Sequence, residues 1–256
     1  MAKTLVIKLA ETIDNDNLRK LGEMRFKIKP ISTVNPSYTP SQYSQKMTVS
    51  VSEPTTLEIT GDGYFTDSTL TQNLGKTLRT QTGSNDIYVS DGDYALSLFN
   101  KYAITTMNMP YTNQAGTYTN HYHWGVNLAD FNGMDALTSL NLHYAGTYGS
   151  LTNVGRLYNL STLNVIANTT HITGDLADIA GLTALKSLNL FQASMITGDI
   201  SSLAGMTELT YADLRYCSKL TGNTSSIASL HPNNGGKLAT LVYSGTQVTG
   251  DWPPSA

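Results

Sequence analysis

The sequence predicts an α/β chain whose C-terminal half is a solenoid of stacked strand-and-turn repeats, preceded by a small β-rich unit. Three observations predict it. A tetrad recurs as Ile172-Thr173-Gly174-Asp175, Ile196-Thr197-Gly198-Asp199, Leu220-Thr221-Gly222-Asn223 and Val248-Thr249-Gly250-Asp251, at intervals of 24, 24 and 28 residues. Ahead of each tetrad stands an LxxLxL core. Charged residues make up only 14% of the chain, and Thr, Ser, Asn and Gly take their place, as in turn-rich β proteins and unlike helical bundles. Periods of this length mark architectures in which each unit buries its apolar face against its neighbours.

Each part of the repeat has a local reason. The cores are Leu137-Leu140-Leu142, Leu160-Leu163-Val165, Leu185-Leu188-Leu190, Leu209-Ala212-Leu214 and Leu238-Leu241-Tyr243, and alternation at the last two positions predicts one short strand with one buried face. Apolar residues then fall every third position, as in Leu128-Phe131-Met134, Leu151-Val154-Leu157, Leu176-Ile179-Leu182 and Ile200-Leu203-Met206, which predicts a tight 3₁₀-like turn. Glycine permits the sharp bend before it, and Asp175, Asp199 or Asn223 can cap its exposed N–H groups. The longer last interval places an insertion near His231–Gly236.

These residues resemble the leucine-rich repeat family, in the 24-residue form with an LTGxI segment found in plant receptors and in bacterial and phage-encoded proteins. The resemblance covers about residues 128–251. It implies a right-handed solenoid with a parallel sheet on the concave side. The proline that usually follows TGxI is absent, and the strand-closing asparagine survives only as Asn168, with Ala145, Ala193, Cys217 and Thr246 elsewhere. Cys217, the one cysteine and so unable to form an internal disulfide, occupies a slot the family fills with Asn or Cys, which gives it a buried structural role.

The register extends backwards. Ile104-Met107-Met109 reads as another strand, with residues 93–102 as a helix capped by Asp93, forming an irregular first repeat. At the far end Trp252 is expected to cover apolar surface and Pro253-Pro254 to stop strand pairing. Nearer the N-terminus, TLVIKLA, MRFKIKP and KMTVSVSEP read as strands, with a helical turn at NDNLRKLG. The expected organisation is a β-rich docking unit at 1–55, a connector and cap at 56–127 with an aromatic insertion, and the solenoid with its C-terminal cap at 128–256.

Charge divides along similar lines. Residues 1–46 carry eight Lys/Arg against four Asp/Glu, a net +4, so the remainder carries −7 of the total of −3. Such a split points to two modules with different neighbours. The N-terminal stretch has no apolar run long enough for a signal peptide, and no run of about 18 apolar residues could span a bilayer. The sequence expectation is therefore a chain made in a cytoplasm, with no membrane insertion.

Outward strand positions define candidate contacts. A middle column runs Asn108, Asn141, Asn164, Asn189, Asp213, Val242, and stacked asparagines about 4.8 Å apart are expected to hydrogen-bond as a ladder. The copy at Leu182 displays Ser187, Asn189 and Phe191, whereas the copy at Met206 displays Tyr211, Asp213 and Arg215. Tyr and Arg are enriched in binding hot spots, so Phe191, Tyr211, Asp213 and Arg215 form one candidate patch, with Asp213 and Arg215 expected as a solvated pair. The segment 110–127 supplies a second candidate in Tyr122 and Trp124, beside His121 and His123, which lack a third zinc ligand.

No GxSxG, P-loop, HExxH or complete EF-hand pattern occurs; the Asp62–Asp67 and Asp91–Asp93 stretches read as turns. No catalytic residue, metal or cofactor is expected. The resemblance implies an interaction or structural protein. Its expected partner is a protein of a particle or host surface, or a glycan, and not a nucleic acid; the N-terminal unit is a possible site of homo-oligomerisation. Two settings are expected: a bacteriophage virion component, such as a head fibre, decoration or tail-associated protein, or a bacterial cell-surface or secreted adhesin.

Overall fold

The computed structural model of the chain describes residues 23–28, 45–54, 56–59, 77–89, 92–98, 103–109, 126–143, 145–166 and 171–253. The first seven strands are β1 (Glu23–Ile28), β2 (Gln45–Val51), β3 (Thr56–Ile59), β4 (Thr77–Arg79), β5 (Gly83–Val89), β6 (Gly92–Leu98) and β7 (Ile104–Asn108). In the repeats, β8 (Ser139–Asn141), β10 (Thr162–Asn164), β12 (Ser187–Asn189), β14 (Tyr211–Asp213) and β16 (Thr240–Val242) alternate with the flank strands β9 (Gly149–Ser150), β11 (Ile172–Thr173), β13 (Thr197–Asp199) and β15 (Lys219–Thr221).

An eight-stranded sheet runs in the order β16-β14-β12-β10-β8-β7-β2-β5. It is parallel from β7 to β16, one strand per repeat, and equivalent positions pair: Leu140 with Leu163, Leu163 with Leu188, Leu188 with Ala212, Ala212 with Leu241. This arrangement fits the leucine-rich-repeat solenoid that the sequence resembles. Its core is the expected one. The LxxLxL residues other than Tyr243, which is partly buried, and the every-third-position residues of the turns are buried, including Leu188, Leu190, Leu203 and Met206. The turns are 3₁₀, at Leu128–Phe131, Leu151–Asn153, Leu176–Ile179, Ile200–Leu203 and Thr224–Leu230.

The flanks are locked differently from the concave sheet. Asp175 Oδ1 accepts from Ala177 N–H at 2.9 Å and Asp199 Oδ1 from Ser201 N–H at 2.8 Å, so each tetrad caps the 3₁₀ turn that follows it. The next repeat pairs against this cap with a stagger of two residues, Asp175 facing Thr197 and Asp199 facing Thr221. Thr197 Oγ1 donates to Asp175 Oδ2 at 3.0 Å. Gly198 then sits at φ +113°, where a Cβ would lie 2.5 Å from Asp175 Oδ1; Gly222 stands in the same relation to Asp199. Glycine is required there twice over, by its own backbone and by the previous repeat's carboxylate.

The N-terminal strands seal the stack. β2 pairs antiparallel with β7 on one side and β5 on the other, so a strand from the segment expected as a docking unit shares the sheet of the repeats. A second, antiparallel sheet, β1-β6-β3-β4, lies beside it. Leu57 and Ile59 of β3 join Met47, Val49 and Ile87 in the same buried cluster as the repeat leucines. The helix expected over 93–102 is instead β6, paired with β1 and β3. Tyr94, Leu96 and Leu98 already alternate with period two, and pairing on both edges overrides the helical reading. At the other end Trp252 packs against the core and meets His231 edge-on, with ring centroids 5.0 Å apart, and the insertion forms a 3₁₀ turn at Pro232–Asn234 closed by left-handed Gly235. The expected strand at TLVIKLA and turn at NDNLRKLG lie outside the described residues.

Two outcomes test this packing. Leu188→Ala should cost roughly 2–5 kcal/mol in denaturant melts through the cavity it leaves, while Ser187→Ala next to it costs little; equal losses would break the register. Gly198→Ala should cost about 1–3 kcal/mol from its strained backbone, and Gly205→Ala, with open space around it and no positive φ, should be near neutral. In an Asp175→Ala background part of the Gly198→Ala loss should disappear, and strict additivity would show that the cap and the glycine do not touch.

Candidate functional site

Strand pairing places the outward residues in rows. Asn108, Asn141, Asn164, Asn189, Asp213 and Val242 face one another in sequence along the sheet, and Thr48 and Asp86 continue the row beyond Asn108. A second row runs Thr106, Ser139, Thr162, Ser187, Tyr211, Thr240. The asparagines do not form the expected ladder. Asn141 Oδ1 accepts from His143 N–H at 3.3 Å and Asn189 Oδ1 from Phe191 N–H at 3.0 Å, while Asn108 Oδ1 and Asn164 Oδ1 have no partner among the described residues. The amide oxygen two residues before a free backbone N–H wins, because that turn is intrastrand and pre-positioned.

Asp213 replaces asparagine in this row and makes the same turn, accepting from Arg215 N–H at 3.1 Å. Its carboxylate is only 1% exposed, against the expectation of a solvated pair. Arg215 folds back over it: Nη2 donates to Oδ2 at 2.6 Å and Nε to Oδ1 at 3.0 Å. Tyr211 Oη donates to Oδ2 at 3.4 Å. The guanidinium lies 4.8 Å from the centre of the Phe191 ring, a cation–π contact. Phe191, Tyr211, Asp213 and Arg215 are thus brought together as one cluster spanning two repeats.

A fifth member was not read from the sequence. Tyr216, 52% exposed, sets its ring edge-on to Phe191 at 5.5 Å. It has φ +61°, its N–H donates to Ser244 C=O at 2.9 Å, and a Cβ on Gly245 would come 2.7 Å from its ring. Gln192, the equivalent residue one repeat earlier, has φ +63° and donates to Arg215 C=O. The signal in the sequence was a third aromatic beside Arg215, but a bulky residue in left-handed backbone is uncommon enough to hide its direction.

Electrostatics follow from this packing. Hydrogen bonding to Asp213 raises Arg215 above its ordinary value, fixing its charge. Desolvation first, and the Asp213 charge second, raise the Tyr211 phenol, so it is a neutral donor at physiological pH. Burial lowers His143, which is neutral at pH 7. Burial also pushes the Cys217 thiol up to about 12, and its Sγ donates to Leu190 C=O at 3.0 Å, a cross-repeat bond. This is the buried structural role expected for it. Among the described residues no group of three His, Cys, Asp or Glu could hold a metal ion, and no helix is long and apolar enough to cross a membrane. Tyr122 and Trp124 lie outside the described residues.

No family model and no curated protein matches the chain. Among solved structures it is similar to an internalin (inlF) from Listeria monocytogenes str. 4b F2365, with 19% sequence identity and a TM-score of 0.41, over 60% of this chain and 38% of that one. The chain therefore spans less than half the length of that protein.

The Asp213–Arg215 fork generates a stability test. Arg215→Ser should lower the denaturation midpoint, because it leaves a buried carboxylate with only a phenol and one backbone N–H. Asp213→Asn in the same background should recover part of the loss, since the amide keeps the turn without the charge. A double variant no more stable than Arg215→Ser alone would mean that the charge of Asp213 is not what Arg215 offsets.

Proposed function

We propose that the chain is a non-catalytic interaction scaffold whose solenoid presents the Phe191–Tyr211–Asp213–Arg215–Tyr216 cluster to a partner. The observation that carries this reading is the preorganisation of the cluster. A guanidinium clamped by a buried carboxylate and stacked on Phe191 loses little side-chain freedom on binding, and rigid aromatic and arginine groups are those that dominate interface energies. The solenoid does not need this arrangement to fold: the preceding repeat fills the same positions with Ser187 and Asn189.

We further propose that the scaffold is mounted on a bacteriophage particle, in the LTGxI-type repeat form that occurs in phage-encoded proteins, with the basic residues of the 1–55 segment docking on it. The +4 to −7 charge split supports this reading, since a basic unit is drawn to an acidic platform over the screening length of about 10 Å at 0.1 M salt. The adhesin on a bacterial surface is the competing setting. Mass spectrometry of purified particles against fractionated host cells separates the two: stoichiometric copies on the particle support the first, and recovery with the cell envelope alone overturns it. Deleting 1–55 would remove β2 from the sheet, so the docking test is reversal of Lys3, Lys8, Arg19 and Lys20 to Glu.

For the binding face, Tyr211→Ser with Tyr216→Asn leaves the Arg215–Asp213 fork intact and keeps a residue tolerant of left-handed backbone at 216. Attachment to host cells should weaken about thirtyfold or more, equivalent to roughly 2 kcal/mol. Tyr158→Ser is the control, at a 61% exposed ring in the turn before β10, and should change nothing. Undiminished attachment by the double variant would overturn the concave cluster as the contact surface.

A further inference from the structure

Beyond the cluster itself, the concave face has a chemistry that restricts what it can bind. From β7 to β14 its two outward rows consist of hydroxyl and amide groups up to Asp213, and the one charged pair among the described residues of these rows, Asp213 with Arg215, neutralises itself at 2.6 Å. The next charged residue in register, Asp86, lies two strands beyond β7 and accepts from Thr48. His143, beside the asparagine row, is neutral at pH 7 because of its burial.

Each class of partner makes a different demand on such a face. A nucleic acid or sulphated polymer requires several cations to displace its counterions, and the described outward rows of this face hold one, already paired. A folded protein requires an apolar centre with a polar rim, whereas here the aromatic rings stand at one end and the two middle rows are Ser, Thr and Asn, with Ile166 beside them as a lone, partly buried apolar residue. An uncharged chain of hydroxyl-bearing rings requires groups that both donate and accept, spaced regularly, with flat apolar surfaces for its C–H faces. The Ser/Thr hydroxyls supply the first, both donating and accepting, over four strand steps, roughly 19 Å at about 4.8 Å each, and the Asn row adds donors, since its Oδ1 atoms are buried at Asn108 and Asn164 and engaged by backbone N–H at Asn141 and Asn189. Tyr216, half exposed beside Phe191, and Tyr211 supply the second. The Nη1 group of Arg215 makes no hydrogen bond among the described residues, so it remains a donor for a sugar hydroxyl.

We infer that the concave face binds a linear, uncharged polysaccharide, its rings stacked at Tyr211 and Tyr216 and its hydroxyls bonded along the Ser/Thr and Asn rows toward β7. The inference rests on the reading of this face as the contact surface and names its ligand class.

The test uses the full chain on an immobilised glycan array holding neutral linear glucans, mannans, galactans and N-acetylglucosamine oligomers, with uronates and sulphated glycans as acidic comparators. Binding should be confined to neutral oligomers, strengthen with chain length, be insensitive to salt, and fall at least tenfold in Tyr216→Asn at unchanged melting temperature. Binding only to acidic glycans, no binding to any neutral oligomer, or binding that Tyr216→Asn leaves intact would overturn it. Host cells oxidised with periodate or digested with proteinase K keep this outcome apart from the broader reading. Attachment lost to periodate and kept after protease supports the glycan. The reverse, with attachment still dependent on Tyr211 and Tyr216, overturns the glycan and leaves the contact surface standing.

Discussion

The structure depends on a collision avoided at every repeat. The carboxylate of Asp175 or Asp199 fills the space that a Cβ at the next Gly198 or Gly222 would need. The carboxylate is there because the 3₁₀ turn following it leaves N–H groups without partners. The glycine is there because the chain bends at φ above +100°, and the threonine before it reaches back to the previous repeat: Thr197 to Gly174 C=O, Thr221 to Gly198 C=O, Thr249 to Gly222 C=O, all at 3.2–3.4 Å. Capping, bending and stacking are satisfied by one tetrad, and where Asn223 stands in place of Asp its Oδ1 still accepts from Ser225 N–H at 2.9 Å. The two-residue stagger of the flank against the unstaggered concave sheet lets both edges of each repeat be hydrogen-bonded at once.

With the core and flanks fixed in this way, sequence freedom is confined to outward positions. Three-residue strands provide two such positions each, with a third where the chain turns away. In most repeats these carry small polar groups, of which Asn141 and Asn189 accept from a backbone N–H of their own chain two residues on. The repeat at β14 departs, and its departures are mutually dependent. Asp213 makes the turn that Asn141 and Asn189 make but brings a charge; Arg215 answers that charge and in doing so sits over the ring of Phe191 of the preceding repeat; Tyr216 meets Phe191 edge-on. A buried ion pair is a poor source of stability in general, and this one stands where the corresponding outward positions of β7, β8, β10 and β12 carry uncharged groups.

A solenoid exposes its core at both ends, and the two ends are treated differently here. On the N-terminal side the parallel sheet, which begins at β7, continues into the antiparallel strands β2 and β5, and a second sheet adds Leu57 and Ile59 to the core, so the apolar interior closes without a boundary between repeat and non-repeat residues. On the C-terminal side the described residues supply as cover Trp252 on His231, and the Tyr243 hydroxyl donating to Gly250 C=O at 2.7 Å. β16 remains an edge strand there, short enough to offer little template for further pairing.

The sequence by itself determined everything that repeats. The strands at 139–141, 162–164, 187–189, 211–213 and 240–242, the 3₁₀ turns, the caps at Asp175, Asp199 and Asn223, and the burial of Leu188 and Cys217 were legible because the same local rule is written several times and each copy checks the others. It also placed Phe191, Tyr211, Asp213 and Arg215 on one face, since alternation fixes direction once register is known. Only the tertiary structure decided what occurs once. Residues 93–98 became a strand because β1 and β3 flank them, a pairing distant in sequence. Asn141 and Asn189 took backbone turns instead of a ladder because a pre-positioned N–H two residues away outcompetes a neighbour across the sheet. Asp213 was buried by Arg215, and Tyr216 joined the cluster through a left-handed residue that no periodicity announces. Periodic information survives in a single sequence because it is redundant; a contact made once, between unlike residues, is set by packing geometry and has no second copy from which to read it.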